Sequence, residues 1–233
     1  MLTKKKSLLL ITTLLIAVNL FTVYQYSLEQ FRVSRSVTSF IFLLVFSFYG
    51  GIKKRLLFYA LLSFFVSDMF VIRYDELIYN NLTSVAATIG YLLIGFYLFP
   101  KFKLSSVKKR IVAIFVVLVS ISAYMFYELI GLMAITLNND LHRYVYYLYS
   151  LVLLGLLVLV GNYNFRYNST QSTYCMLFVF ALVVSNLFAA ISYYLGMPLF
   201  YYPTRFFYVI GLGLLTAFAV LPFEKELLLE EEQ

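Results

Sequence analysis

Tryptophan is absent from this chain, and cysteine and histidine occur once each, as Cys175 and His142. A single thiol rules out an intramolecular disulfide. One histidine with no second cysteine and scattered acids argues against zinc or iron–sulfur ligation, so neither metal nor cofactor is expected. Cys175 lies in an apolar run without a polarising neighbour and reads as a small buried hydrophobe. Charge is scarce as well. Only 12% of the 233 residues are Asp, Glu, Lys or Arg, against about 25% in soluble domains. Catalytic signatures are missing too: no G-x-x-x-x-G-K-[ST] loop, G-x-S-x-G elbow or H-E-x-x-H helix is present, and residues 206–223 hold no lysine for a retinal Schiff base.

What the chain has instead is apolar surface. Hydrophobic residues make up 63% of it, and the mean hydropathy is +0.88. A globule of this size cannot hide that much from water, which leaves an integral membrane protein. A span needs roughly 20 apolar residues, with a range of about 17–25. Eight segments are read as spans: 7–26, 36–51, 56–72, 82–99, 111–135, 144–161, 174–195 and 205–223. Continuous apolar runs without alternation favour helices over a barrel. The fold expected is therefore an all-α polytopic bundle over 1–223, followed by an acidic tail over 224–233.

The net charge of +7 is distributed between the apolar runs, which suits lipid headgroups and topology rather than nucleic acid. Thirteen of the eighteen basic residues fall on one side: Lys4–Lys6, Lys53–Arg55, Lys101, Lys103, Lys108, Lys109, Arg110, Arg166 and Lys225. Arg32, Arg35, Arg73, Arg143 and Arg205 fall on the other. This bias places both termini in the cytoplasm, with the chain expected in a bacterial inner membrane. The first span is too long for a signal peptide and no clear A-x-A site follows it, so it is read as retained. With no tryptophan, tyrosine must form the interfacial belt. Tyr144, Tyr146, Tyr147, Tyr149, Tyr193, Tyr194, Tyr201 and Tyr202 are assigned to it, and His142 to a solvated outer loop.

An internal repeat is also expected. Val66-Ser67-Asp68-Met69-Phe70 parallels Val184-Ser185-Asn186-Leu187-Phe188; Ile89-Gly90 parallels Ile210-Gly211; Pro100 parallels Pro222. Near-equal offsets suggest two four-helix halves of the same orientation.

Two carboxylates, Asp68 and Glu128, fall deep inside spans, where a charge is costly and hence functional by default. Asp68 lies about 18 Å from the cytoplasmic end of its span at 1.5 Å per residue. Asn186 reaches a similar depth, and the three are expected to converge on one outward-facing cavity. The competing expectations are an Asp68–Arg73 ion pair, a Glu128 near the headgroups, an Asn186 that merely joins helices, and Ser67 and Ser185 bonded to their own preceding turns.

The stretch Leu62-Ser63-Phe64-Phe65-Val66-Ser67-Asp68, followed by Ile89-Gly90-Tyr91-Leu92-Leu93, resembles the YhhN family of eight-span membrane proteins, which includes lysoplasmalogenases. Ser185-Asn186, the aromatic stretch Tyr193–Arg205 and Gly211–Thr216 extend the likeness over about 56–99 and 174–223. Two departures stand out: Tyr91 where many members carry His, and Asn186 in place of a second acid. The resemblance implies hydrolysis of the vinyl ether of a lysophospholipid, with Asp68 and Glu128 as acid and base, Asn186 orienting water or substrate, and Tyr91, Ser67, Ser185 and Arg205 binding it. The alternative is a non-enzymatic binder or carrier of a lipid or small solute, in which Asp68 and Glu128 hold a proton or cation. A third is a scaffold without a cavity. Membrane lipid is the expected partner.

Overall fold

The computed structural model describes residues 2–25, 27–103, 109–136 and 140–221. Among them it forms eight α-helices: α1 (Leu2–Gln25), α2 (Leu28–Phe48), α3 (Arg55–Val71), α4 (Leu77–Leu98), α5 (Lys109–Thr136), α6 (Asp140–Tyr167), α7 (Thr170–Tyr194) and α8 (Tyr201–Val220). Short 3-10 turns at Gly51–Lys53, Phe99–Lys101 and Pro198–Phe200 join some of them. The described residues contain no strand. Six helices (α1, α2, α4, α6, α7 and α8) are long and apolar enough to cross a membrane, as an integral membrane protein requires. The helix α3 has 17 residues, about 26 Å at 1.5 Å per residue. The acidic tail and Pro222, one partner of the repeat, lie outside the described residues.

Local chemistry sets several helix ends. The Ser27 backbone N–H donates to Gln30 Oε1 at 3.2 Å, closing the start of α2. Between α6 and α7, Asn168 adopts a left-handed backbone (φ 40), which asparagine tolerates better than most residues. Ser169 then caps α7 by accepting from the Ser172 backbone N–H at 3.1 Å.

The helices α3 and α4 form one tight hairpin and α7 and α8 another, and α6 packs on both. Side chain-free faces let the hairpins close: a Cβ on Gly90 would stand 2.6 Å from the Phe64 ring, and one on Gly211 would stand 2.7 Å from Leu182. Ser67 Oγ donates to the Thr83 carbonyl at 2.9 Å, and Ser185 Oγ to the Thr204 carbonyl at 2.8 Å. Both serines thus bond the neighbouring helix and not their own preceding turn. The two hairpins are tied by the same pair of contacts at corresponding positions.

Six helices begin four or more residues before their apolar runs, and four of these starts lie at one end of the bundle. The starts expected at 36, 82, 144 and 205 are found at Leu28, Leu77, Asp140 and Tyr201. The extra turns carry Arg32, Arg35, Asn80, Asn81 and His142. These side chains each find a partner on another element at the same end of the bundle, so the helix continues through them. The opposite end is filled mainly by apolar side chains, including Phe42, Phe46, Leu57, Ile94, Leu98, Cys175, Phe178, Leu215 and Phe218, with Asn162 and Arg166 bonded to the backbone of Lys103 and Lys101.

Candidate functional site

The polar end holds a partly open cavity of about 140 Å³ to which every helix but α1 contributes. Phe31, Arg32 and Arg35 of α2 form one wall, and Ser67 and Val71 of α3 with Thr83, Ser84 and Ala87 of α4 form the next. Phe126, Leu129 and Ile130 of α5, Tyr146 and Tyr149 of α6, Asn186, Ala190 and Tyr194 of α7, and Tyr201, Thr204 and Arg205 of α8 complete it. The α5 part is wholly apolar, while the other helices bring hydroxyls, amides and arginines among apolar side chains.

Asp68 is 1% exposed and sits directly behind this wall. Arg35 Nε donates to one of its carboxylate oxygens at 2.5 Å, and the Tyr208 hydroxyl donates to the other. Ser36 Oγ donates to its backbone carbonyl at 2.7 Å, and the Arg35 guanidinium lies 4.3 Å over the Tyr208 ring. Asp68 is thus the counter-ion of Arg35. The expected partner Arg73 instead donates to the Tyr79 hydroxyl at 3.3 Å. A buried carboxylate ought to be paired. Arg35, about two turns into α2, and Asp68, less than one turn from the end of α3, come from different helices, so apolar-run length alone does not pair them.

At the mouth, Arg32 grips Asp75 with two bonds of 2.6 and 2.8 Å, and the Tyr193 hydroxyl adds a third at 3.0 Å. Asp75 lies in the turn between α3 and α4. The Arg32 guanidinium holds its carboxyl below the usual carboxylate range, outweighing the small upward push of partial burial.

Aromatic hydroxyls close a second side. Tyr146 meets Tyr74 at 2.7 Å and Tyr194 at 3.0 Å, and donates to Asn80 Oδ1 at 3.1 Å. Asn80 Nδ2 donates to Tyr194 at 3.2 Å. These tyrosines, with Tyr149, Tyr193 and Tyr201, line the cavity, so only part of the expected interfacial belt faces outward; Tyr144 does so. His142, expected in a solvated loop, is in the first turn of α6 and 2% exposed. Its Nδ1 is 2.6 Å from Asn81 Oδ1.

The expected convergence forms only in part. Asn186 lines the cavity and donates to the Tyr91 hydroxyl at 2.7 Å. Ser67 and Arg205 also line it, whereas Tyr91 and Ser185 stand one layer behind. Glu128 does not join them: it is on the outward face of α5 beside Tyr124, while Phe126, Leu129 and Ile130 of the same helix turn toward the cavity. A helix rotates about 100° per residue, so a glutamate placed between Phe126 and Ile130 need not share their face. The acid–base pair of Asp68 and Glu128 is not assembled.

Arg205, 1% exposed, donates from Nη2 to the Phe31 carbonyl at 2.6 Å, and its guanidinium lies 3.6 Å over the Phe31 ring. Among the described residues no group of three or more His, Cys, Asp or Glu side chains could hold a metal ion. No family model, curated protein or solved structure matches this chain.

Proposed function

We propose that this chain is an eight-helix membrane protein of two like-oriented four-helix halves, with both termini cytoplasmic, whose outward-facing end binds a single-chain membrane amphiphile. The observation that carries this reading is the amphipathic cavity itself. The lining contributed by α5 is wholly apolar (Phe126, Leu129 and Ile130), and the other helices supply polar groups that include Arg35, Ser67, Tyr146 and Asn186. An engineered cavity of about 150 Å³ holds benzene, so about 140 Å³ accommodates a headgroup or its linkage and not a whole lipid. The chain of the amphiphile would leave past α5 along the flank of the bundle. A lysophospholipid, as the YhhN resemblance implies, has this shape. The matching Ser67–Thr83 and Ser185–Thr204 bonds, with Gly90 under Phe64 and Gly211 against Leu182, support the two-half construction.

A second reading, hydrolysis of a vinyl ether, is favoured by the position of Asp68 immediately behind Ser67, with Asn186 also in the wall. With Glu128 turned outward, Asp68 would have to take part in both protonating the enol-ether carbon and activating water.

The test uses purified, delipidated full-length protein in a neutral detergent, titrated with a lysophospholipid and followed by native mass spectrometry. One bound lipid per chain is expected, and its loss in Ala190→Phe, which fills the cavity without removing a polar group. Absence of binding, or binding unaffected by that substitution, overturns the reading. Aldehyde release from a lysoplasmalogen, abolished by Asp68→Asn, separates enzyme from binder.

A further inference from the structure

Three arginines line the cavity, and two of them are matched. Arg32 has Asp75 and Arg35 has Asp68. Arg205 has no acidic partner among the described residues, and its Nε and Nη1 have no hydrogen-bond partner at all although the side chain is 1% exposed. One nitrogen is held by the Phe31 carbonyl and one face by the Phe31 ring. Those contacts fix the guanidinium rigidly while leaving most of its N–H donors idle. Asp68 makes no hydrogen bond or ion pair to it; its oxygens are bonded to Arg35 and Tyr208. A buried charge with idle donors in a cavity wall is a strong departure from the rule that such groups are paired and bonded. Guanidinium is also the group best matched to carboxylate and phosphate oxygens.

From this, and resting on the amphiphile reading above, we infer that the headgroup held by Arg205 is an oxyanion carrying one negative charge, a phosphodiester or a carboxylate. One charge is the number that balances the wall: three cations, two anions, and one place left. The remaining acids of that end do not supply it, because Glu29, Glu76, Glu128 and Asp140 are exposed and line no part of the cavity. The apolar wall of Phe126, Leu129 and Ile130 takes the first part of the chain attached to the anion.

The experiment measures, on delipidated full-length protein in neutral detergent, the thermal shift and native-mass occupancy with four probes. These are a lysophosphatidylglycerol, a fatty acid of the same chain length, the corresponding monoacylglycerol, and inorganic phosphate alone. The two anionic amphiphiles are expected to bind the unaltered protein at least about thirtyfold more tightly than the neutral one. Arg205→Gln should erase that preference, as expected for one member of a desolvated charge pair. Arg205→Lys should keep the preference with weaker binding. Should Arg205→Gln fail to fold, the anionic-over-neutral preference of the unaltered protein still decides the matter. Equal binding of all three amphiphiles overturns the oxyanion inference and leaves the amphiphile reading standing. Binding of phosphate alone, sensitive to Arg205, supports the oxyanion site while overturning the amphiphile reading. Binding of no probe overturns both.

Discussion

The two ends of this bundle are built from the same helices but by opposite means. At one end Phe178 packs at a tilt on Phe218 and Phe46 on Phe58, and the buried side chains of Leu57, Ile94 and Leu98 fill the space between. At the other end Arg35 meets Asp68, Arg32 meets Asp75, and tyrosine hydroxyls bond one another and Asn80. Lipid is as apolar as leucine, so association at the dry end rests on close packing and not on escape from water. Nothing about crossing a membrane demands the polar end, where desolvated charge opposes folding. A chain selected only for packing would repeat the dry end throughout. On the proposed reading the contrast marks the ligand-binding end, and each substitution below either breaks that contrast or sharpens it.

The largest effect should come from stranding one charge of the buried pair. Asp68→Ala leaves Arg35 without its counter-ion, and a loss of about 3–5 kcal/mol is expected, read as reduced resistance to denaturation in detergent. Making the polar end dry is different. The double change Asp68→Leu with Arg35→Met should restore most of that stability, since buried ion pairs seldom outperform well-packed apolar replacements. The same double variant should lose lipid binding. If instead it recovers both, the polar end is a packing device and the contrast between ends carries no function.

A smaller effect is expected where the hairpins close. Adding a methyl at Gly90 or Gly211 drives a Cβ to within 2.6 or 2.7 Å of Phe64 or Leu182, and overpacking of this kind costs about 1–3 kcal/mol. Because the two sites are equivalent contacts in the two hairpins, Gly90→Ala and Gly211→Ala should cost similar amounts while leaving lipid occupancy of the folded fraction unchanged. Unequal costs, differing by more than the additivity error of about 0.5 kcal/mol, would count against two duplicated halves.

Much of the dry end was legible in the sequence, because apolar runs report directly on helices that lie among lipid and one another. The polar end was only partly legible, for a related reason. Searching for apolar runs halts a helix at its first arginine or asparagine, so Leu28–Arg35 and Leu77–Asn81 read as loop, and Arg32, Arg35, Asn80 and Asn81 were left out of the site. Asp68 and Asn186 stood out because they interrupt a run from within. Glu128 stood out for the same reason, but sequence position fixes depth along a helix and not the face, and α5 turns it outward. The chemical character of Arg205 was hidden too: whether an arginine is paired depends on helices α2 and α3, far away in the chain.

Weaker still should be the loss of one hydroxyl from the tyrosine cluster. Tyr146→Phe removes the group shared by Tyr74, Tyr194 and Asn80, for an expected cost of about 1 kcal/mol. Tyr59→Phe toward the other end, where the ring packs edge-on against Phe58, provides the comparison. A larger loss there than at Tyr146 would show that the hydroxyl network does not hold the cavity wall.

The smallest effect concerns the mouth, and it depends on pH. Asp75 is 66% exposed while Arg32 is 5% exposed, so the pair is screened on one side and its contribution should be no more than about 1 kcal/mol. Because Arg32 lowers the Asp75 pKa in the folded protein, the unfolded chain takes up the proton first as the solution is acidified. The contribution is accordingly complete above the unfolded value of about 4 and declines as pH falls through the lower folded value. The unaltered protein should exceed Asp75→Asn in stability at pH 7, and the gap should narrow progressively below about pH 4. A gap that stays constant from pH 7 down to about pH 2 would show that charge on Asp75 is not what holds Arg32, leaving the shape of the Arg32–Tyr193 contact to do so.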